Sequence, residues 1–102
     1  MNRDLLRQAQ QLQQRMAKVQ EELGNETVEA SAGGGAVTVV MNGHQVLQSI
    51  KISPEAVDPE DVTLLEDLVL AATNEALERA RALASQRLGA LTGGMKLPGL
   101  PF

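Results

Sequence analysis

Residues 27–43, TVEASAGGGAVTVVMNG, change the spacing of the apolar residues from a helical period of about 3.6 residues to a strand period of about 2. Two alternating segments lie on either side of Gly33-Gly34-Gly35, a sequence that permits a turn with positive φ angles. Asn42-Gly43 then signals a hairpin into a third alternating segment. The stretch therefore predicts a three-stranded antiparallel meander with strands at 27–32, 36–41 and roughly 45–52.

The alternation also assigns the two faces of these strands. In the central strand, one face carries Val37, Val39 and Met41, and the other carries Ala36, Thr38 and Val40. In the third strand, one face carries Val46, Ile50 and Ile52, and the other carries Leu47, Ser49 and Lys51. Apolar residues on both faces of the central strand are more than a half-solvated sheet needs.

The segment before the sheet has the pattern of a long helix over residues 4–23. Its apolar residues alternate at intervals of four and three, which is a heptad seam suited to lengthwise packing on another helix. The seam consists of Leu5, Ala9, Leu12, Met16, Val19 and Leu23. Gly24-Asn25 is expected to end the helix with a left-handed C-cap.

The segment after the sheet predicts a second, longer helix. Asp58-Pro59-Glu60-Asp61 combines an Asp suited to the N-cap, a Pro suited to the first position and acids in the first turn. The helix is expected to run to about Leu88, with Gly89 at its C-cap. At about 1.5 Å per residue it is about 45 Å long.

These elements predict an α+β fold in which a long N-terminal helix, a three-stranded antiparallel sheet and a long C-terminal helix follow one another. One domain is expected over residues 1–89, followed by a flexible Gly/Pro-rich tail over residues 90–102. So small a sheet cannot cover a helix of about 45 Å, so we expect a tweezer-like obligate homodimer. Its predicted interface consists of Val37, Val39, Met41, Ile50, Leu65, Leu68 and Ala72.

Composition narrows the classes of function. The chain has no cysteine, an N-terminus without the apolar run of a signal peptide, and no segment with the roughly 18 apolar residues of a membrane span, so we expect a soluble cytosolic protein. Phe102 is the only aromatic residue, which disfavours binding of single strands by stacking. His44, the only histidine, is expected to be a solvated turn residue. No nucleophile–base pair or metal cluster is recognisable, so we expect no enzymatic activity, no cofactor and no small-molecule substrate.

The charges are separated along the chain. Residues 1–20 carry four basic residues and one acid, residues 79–102 carry four basic residues and no acid, and residues 21–78 carry one basic residue and twelve acids. If the fold brings the two ends together, each subunit has a basic arm and an acidic body, and the net charge of −4 does not exclude a polyanionic partner. The candidate residues for binding such a polyanion are Arg3, Arg7, Arg15, Lys18, Arg79, Arg81 and Arg87.

The helix dipole stabilises some of these candidate residues and destabilises others. Arg79, Arg81 and Arg87 lie towards a helix C-terminus, where cations are stabilised, so a solvated helix end explains them equally well. Arg3 and Arg7 lie near a helix N-terminus, where the dipole opposes them, and a binding role accounts for them better.

The chain resembles the YbaB/EbfC family of bacterial nucleoid-associated proteins along nearly its whole length. The resemblance is carried, in this order, by QAQQLQ (8–13) with Met16, GGGAVTV (33–39), MNG (41–43), IKI (50–52), LEDL (65–68), ATNEA (72–76), LTGGM (91–95) and LPGLP (97–101). His44-Gln45 departs from the Gly or Lys expected after Asn42-Gly43. The resemblance implies a cytoplasmic, nucleoid-located homodimer whose helical arms bind double-stranded DNA. It also implies a role in nucleoid organisation and gene expression, without enzymatic activity and without a membrane partner.

Two classes of function remain open at the level of the sequence. A DNA-binding homodimer would contact phosphates. Phosphate contacts position a protein on the duplex but carry no sequence information, so weak sequence preference is expected. A protein–protein adaptor would instead use the heptad seam of the first helix and the C-terminal tail. If the seam is already buried, it has no apolar surface left to bind a partner. An exposed seam would favour the adaptor.

Overall fold

The structure is a computed structural model that describes residues 2–91 and has the predicted order of elements. Helix α1 spans Arg3–Leu23, the strands are β1 (Thr27–Ala32), β2 (Val37–Asn42) and β3 (Leu47–Ile52), and helix α2 spans Val62–Leu91. A short 3-10 turn, Pro54–Ala56, lies between β3 and α2. The α+β class and the three-stranded antiparallel sheet are confirmed. Helix α2 includes residues 90 and 91, and the rest of the predicted tail lies outside the described residues.

The sheet has one apolar and one largely polar face. Its strands lie in the order β1-β2-β3, and the register pairs Ala30 with Val39 and Val39 with Ile50. Cross-strand partners point to the same side, so the apolar face combines Val28, Ala30, Ala32, Val37, Val39, Met41, Leu47, Ile50 and Ile52. The opposite face carries Thr27, Glu29, Ser31, Thr38, Val40, Ser49 and Lys51. The second face of the central strand contributes only Val40 as a large apolar residue, so this face is mainly polar.

A β-bulge explains the position of Leu47. The register between β2 and β3 shifts between Val40 and Met41, so that Val40 pairs with Ser49 and Met41 pairs with Leu47. The extra residue, Gln48, reverses the alternation and brings Leu47 to the apolar face. Simple alternation had placed it on the other face.

The core is formed where α2 crosses β1 and β2. Ala72, Ala76 and Ala80 recur every fourth residue along one stripe of α2, and each is completely buried. They pack with Ala30, Val37, Val39 and Met41 of the sheet. Because alanine is small, the helix backbone lies close to the strands. Strand β3 is not covered in this way, and Ile50 and Ile52 remain 42% and 40% exposed.

Helix α2 begins later than the sequence predicted. Asp58 forms a turn in which its carbonyl accepts from the Asp61 N–H at 2.9 Å and its side chain accepts from the Glu60 N–H at 2.9 Å. Asp61 is the residue that caps α2, because its carboxylate accepts the Leu64 N–H at 3.2 Å. The prediction of an N-cap at Asp58 was wrong, because an Asp-Pro pair begins a turn as readily as a helix.

The C-terminus of α1 is capped by the β2–β3 hairpin. Gly24 has φ −64° and ψ −23°, so the expected left-handed C-cap is absent. The Asn42 side-chain amide donates to the Gly24 carbonyl at 3.2 Å, and the Gly43 N–H donates to the Leu23 carbonyl at 2.9 Å. The His44 ring lies 2.6 Å through Nε2 from the Gln20 carbonyl. Free carbonyls at the end of a helix need such partners, so His44 is exposed but has a structural contact.

The hairpin differs from a tight Asn-Gly turn. The Asn42 side chain accepts the N–H groups of His44 and Val46, both at 2.9 Å, and holds a longer loop. The residue with positive φ is Gln45, at 65°, whereas all three residues of Gly33-Gly34-Gly35 have positive φ as predicted. Gly43 is required for a different reason. A Cβ atom there would lie 2.7 Å from the Leu23 carbonyl oxygen.

Replacing Gly43 by Ala is expected to lower the free energy of unfolding by about 1–3 kcal/mol, because the added methyl group forces α1 away from the hairpin. The control is Gly89→Ala, since a Cβ at this helical position meets nothing within 4 Å. It is expected to raise stability by up to about 1 kcal/mol. Urea unfolding at equal protein concentration measures both changes, and a Gly43→Ala protein as stable as the parent would contradict the packing described.

Candidate nucleic-acid interface

The four basic residues of α1 lie on one face of the helix. At about 100° per residue, Arg3, Arg7, Arg15 and Lys18 fall within an arc of about 120°, nearly opposite the apolar seam. All four are exposed, and none forms an ion pair within the described part of the chain. When the apolar seam packs towards the body, the basic residues of α1 therefore face solvent.

Helix α1 projects from the body as an arm. The described chain measures 69 × 22 × 16 Å, which is far from spherical. Val19 and Leu23 of the seam are buried and Met16 is half-buried, but Leu5 is 62% exposed. The seam is therefore covered only towards the C-terminus of α1, and the basic face of the arm is open to solvent along its length.

The basic residues of α2 have different surroundings. Arg81 is exposed, lies on the side of α2 away from the alanine stripe, and has no ion pair among the described residues. Arg79 pairs with Glu75 at 2.9 Å and also donates to the Glu29 carbonyl. Arg87 forms ion pairs with Glu22 and Glu26. The structure thus brings Arg87 to the base of the α1 arm, and these contacts were not visible in the sequence.

The residues predicted for a dimer interface divide into two groups. Val37, Val39, Met41 and Ala72 are at most 4% exposed and already pack within the core of their own chain. The other three, Ile50, Leu65 and Leu68, are exposed or half-buried. A single chain does not test the interface, which stays a prediction, but only the second group offers surface to another molecule.

An apolar groove of about 500 Å³ adjoins the uncovered strand. It is lined by Ile52, Leu65, Glu66, Val69, Leu70 and Thr73. Leu70 is 61% exposed, and sequence reasoning missed it because it lies off the stripe of α2 that faces the sheet. The helical period of α2 could have identified Leu70. It places this leucine outside the stripe that packs on the sheet, where burial would require a different partner.

The described residues offer neither a metal-binding cluster nor a membrane-spanning helix. Within residues 2–91 no group of three or more His, Cys, Asp or Glu side chains is arranged to hold a metal ion. No helix of this range is long and apolar enough to span a membrane.

Comparison with known proteins gives a consistent result. Residues 1–95 match the profile of the YbaB/EbfC DNA-binding family. A nucleoid-associated protein of Pelotomaculum thermopropionicum is 57% identical over 94% of this chain and 91% of its own. One of Bacillus cereus is 55% identical over 85% of this chain and 80% of its own. An uncharacterized protein of Helicobacter pylori has a similar fold, with a TM-score of 0.77, 18% identity, and coverage of 91% of this chain and 99% of its own.

If the groove is the dimer interface, replacing Leu70 by Glu is expected to shift the protein towards monomers, because the charge would have to be buried. Leu64→Glu is the matched control, since Leu64 is 53% exposed on α2 but lies outside the groove. Sedimentation equilibrium measures the mass of the parent and of both variants. A Leu70→Glu variant with the same mass as the parent would exclude this groove as the interface.

Proposed function

The chain belongs to the YbaB/EbfC DNA-binding family, and we propose that it is a nucleoid-associated protein that binds double-stranded DNA as a homodimer. The observation that carries this proposal is the basic face of α1, on which Arg3, Arg7, Arg15 and Lys18 are exposed and free of acidic partners among the described residues. The names of its relatives support the association with the nucleoid. We infer the nucleoid of the cytoplasm as its location and chromosome organisation, with effects on gene expression, as its role.

The basic face suits a phosphate backbone. From Arg3 to Lys18 it extends over about 22 Å of helix, so one arm can neutralise several phosphates of a duplex. Gln11 and Gln14 lie in the same arc and add amide donors. Arg81 extends the set of exposed cations onto α2, whereas Arg79 and Arg87 would first have to leave their acidic partners.

The acidic body directs DNA to the arms. Residues 21–78 carry twelve acids and one basic residue, so this part of the surface repels a polyanion. Two arms in a dimer would hold the duplex and keep it away from the body. Contacts of this kind are mainly to phosphates, so we propose weak or shape-based sequence preference and no enzymatic activity.

Removing one phosphate contact is expected to lower the magnitude of the salt slope, d log K/d log[salt], by about 0.9 for each contact. Arg7→Ala removes one such contact in each arm. Lys51→Ala is the matched control, because Lys51 also carries one positive charge but lies on the polar face of the sheet. Fluorescence anisotropy of a short duplex at several salt concentrations gives both slopes. Equal slopes in the two variants would remove the α1 face from the interface.

The alternative function is a protein–protein adaptor, and one observation favours it. Leu5 and Leu6 of α1 are 62% and 48% exposed, so the N-terminal half of α1 offers apolar surface to a partner. The same anisotropy titration separates the two functions. If an intact dimer does not bind duplex DNA at about 50 mM salt, where electrostatic binding is strong, the adaptor is the better account.

A further inference from the structure

Arg87 occupies the junction between the two helices. It extends from the last turns of α2 to Glu22 in the last turn of α1 and to Glu26 just before β1, which are 65 and 61 residues away in sequence. Its side chain is only 32% exposed, and those of Glu22 and Glu26 are 41% and 36% exposed. The cluster is therefore partly withdrawn from solvent, unlike the open basic residues of α1.

The guanidinium group binds both carboxylates at once. Nη1 donates to Glu26 Oε1, and Nη2 donates to Glu22 Oε2. A planar fork can hold two acceptors in a fixed arrangement, which the point charge of lysine cannot do. The second oxygen of Glu26 is buried and has no hydrogen-bond partner among the described residues. Within residues 2–91, Arg87 is the one cation paired with these two acids, and its Nη1 and Nη2 donors point into its own chain.

Among the described residues, the arm has less support beyond this junction, where Leu12 and Met16 are only half-buried and the cap by the hairpin no longer reaches. Val19 and Leu23 are buried at the base of α1, whereas residues 2–11 are exposed. From Glu22 to Arg3 the helix extends about 28 Å, so a rotation of about 10° at the junction would move Arg3 by about 5 Å. A displacement of that size would take the basic face out of register with phosphates that the arm had been contacting.

We propose that Arg87 is a positioning residue and not a phosphate ligand. Its clamp on Glu22 and Glu26 holds α1 in the direction in which the basic face meets DNA. The DNA-binding part of this inference rests on the proposed function, whereas the orientation of α1 can be measured without DNA.

The double substitution Glu22→Gln with Glu26→Gln separates the two roles by the sign of its effect. If Arg87 binds phosphate, removing its acidic partners frees it and also removes negative charge, so the affinity for duplex DNA rises. If Arg87 positions the arm, the affinity falls despite the lost negative charge, and we expect a decrease of about tenfold at constant salt, the scale of one or two misplaced contacts.

The matched control is Glu21→Gln with Glu78→Gln. These acids are exposed on α1 and α2, and neither forms an ion pair among the described residues. The control removes the same charge without touching the clamp, and its affinity for DNA is expected to rise. An affinity of the Glu22→Gln, Glu26→Gln variant that is unchanged or raised overturns the proposal.

A second measurement uses no DNA. The chain lacks cysteine, so Gln10→Cys and Lys51→Cys would place two spin labels on the arm and the sheet, both at exposed positions. Labelled chains diluted with excess unlabelled chains report the distance within one chain. We expect a narrow distribution with the clamp intact and a broader one in both Arg87→Ala and Glu22→Gln, Glu26→Gln.

The two measurements test the proposed function and the positioning role separately. An unchanged distance distribution in both clamp variants overturns the positioning role, whatever the affinity for DNA. If the parent protein does not bind duplex DNA, the proposed function fails, while a broadened distribution still supports the clamp. Arg87→Lys adds a further check, because a lysine retains the charge but not the fork and is expected to restore the narrow distribution only in part.

Discussion

One α-helix can cover only about two strands, and the arrangement of this protein depends on that limit. A helix about 10 Å across spans about two strands that are spaced about 4.8 Å apart. Helix α2 uses its alanine stripe on β1 and β2, and the apolar side of β3 therefore stays open beside the groove that contains Leu70. Length acts separately from width: α2, with 30 residues, is about 45 Å long, whereas a strand of six residues is only about 20 Å long. Helix ends therefore extend past the sheet, and α1 projects there as an arm with a basic face.

The fold places the acidic and the basic segments of the chain on different parts of the molecule. The acids of residues 21–78 belong mainly to the sheet, its connections and the first half of α2. Among the described residues, the open cations belong to α1 and Arg81, apart from Lys51 on the sheet. A protein with a net charge of −4 can therefore present a basic surface. Arg87 stands apart from this division, because two acids at the base of the arm take up its donors.

The sequence allowed the elements of the fold to be predicted, because hydrophobic period and turn chemistry are local properties. The three strands, the positive φ angles at Gly33-Gly34-Gly35 and the two long helices all follow from such signals. One error, the N-cap at Asp58, came from a local signal that also suits a turn. The others occurred where distant segments decide the structure. Gly43 serves the close approach of α1, the bulge turns Leu47 to the apolar face, and Arg87 meets acids more than 60 residues away. The basic residues of α1 and the i,i+4 pair of Glu75 with Arg79 can be found from sequence, but the pairing of Arg87 with Glu22 and Glu26 cannot.

The cap of α1 by the hairpin has a consequence for the order of folding. The last carbonyls of α1 are bound by Asn42, Gly43 and His44, about twenty residues further along the chain. During synthesis α1 leaves the ribosome before the hairpin, so its C-terminus stays uncapped until the hairpin has formed, and Glu22 must wait for Arg87. The arm is thus made before the segments that secure it. Its ordering is coupled to completion of the whole domain, so a truncated nascent chain holds no rigid arm with which to engage a ligand prematurely.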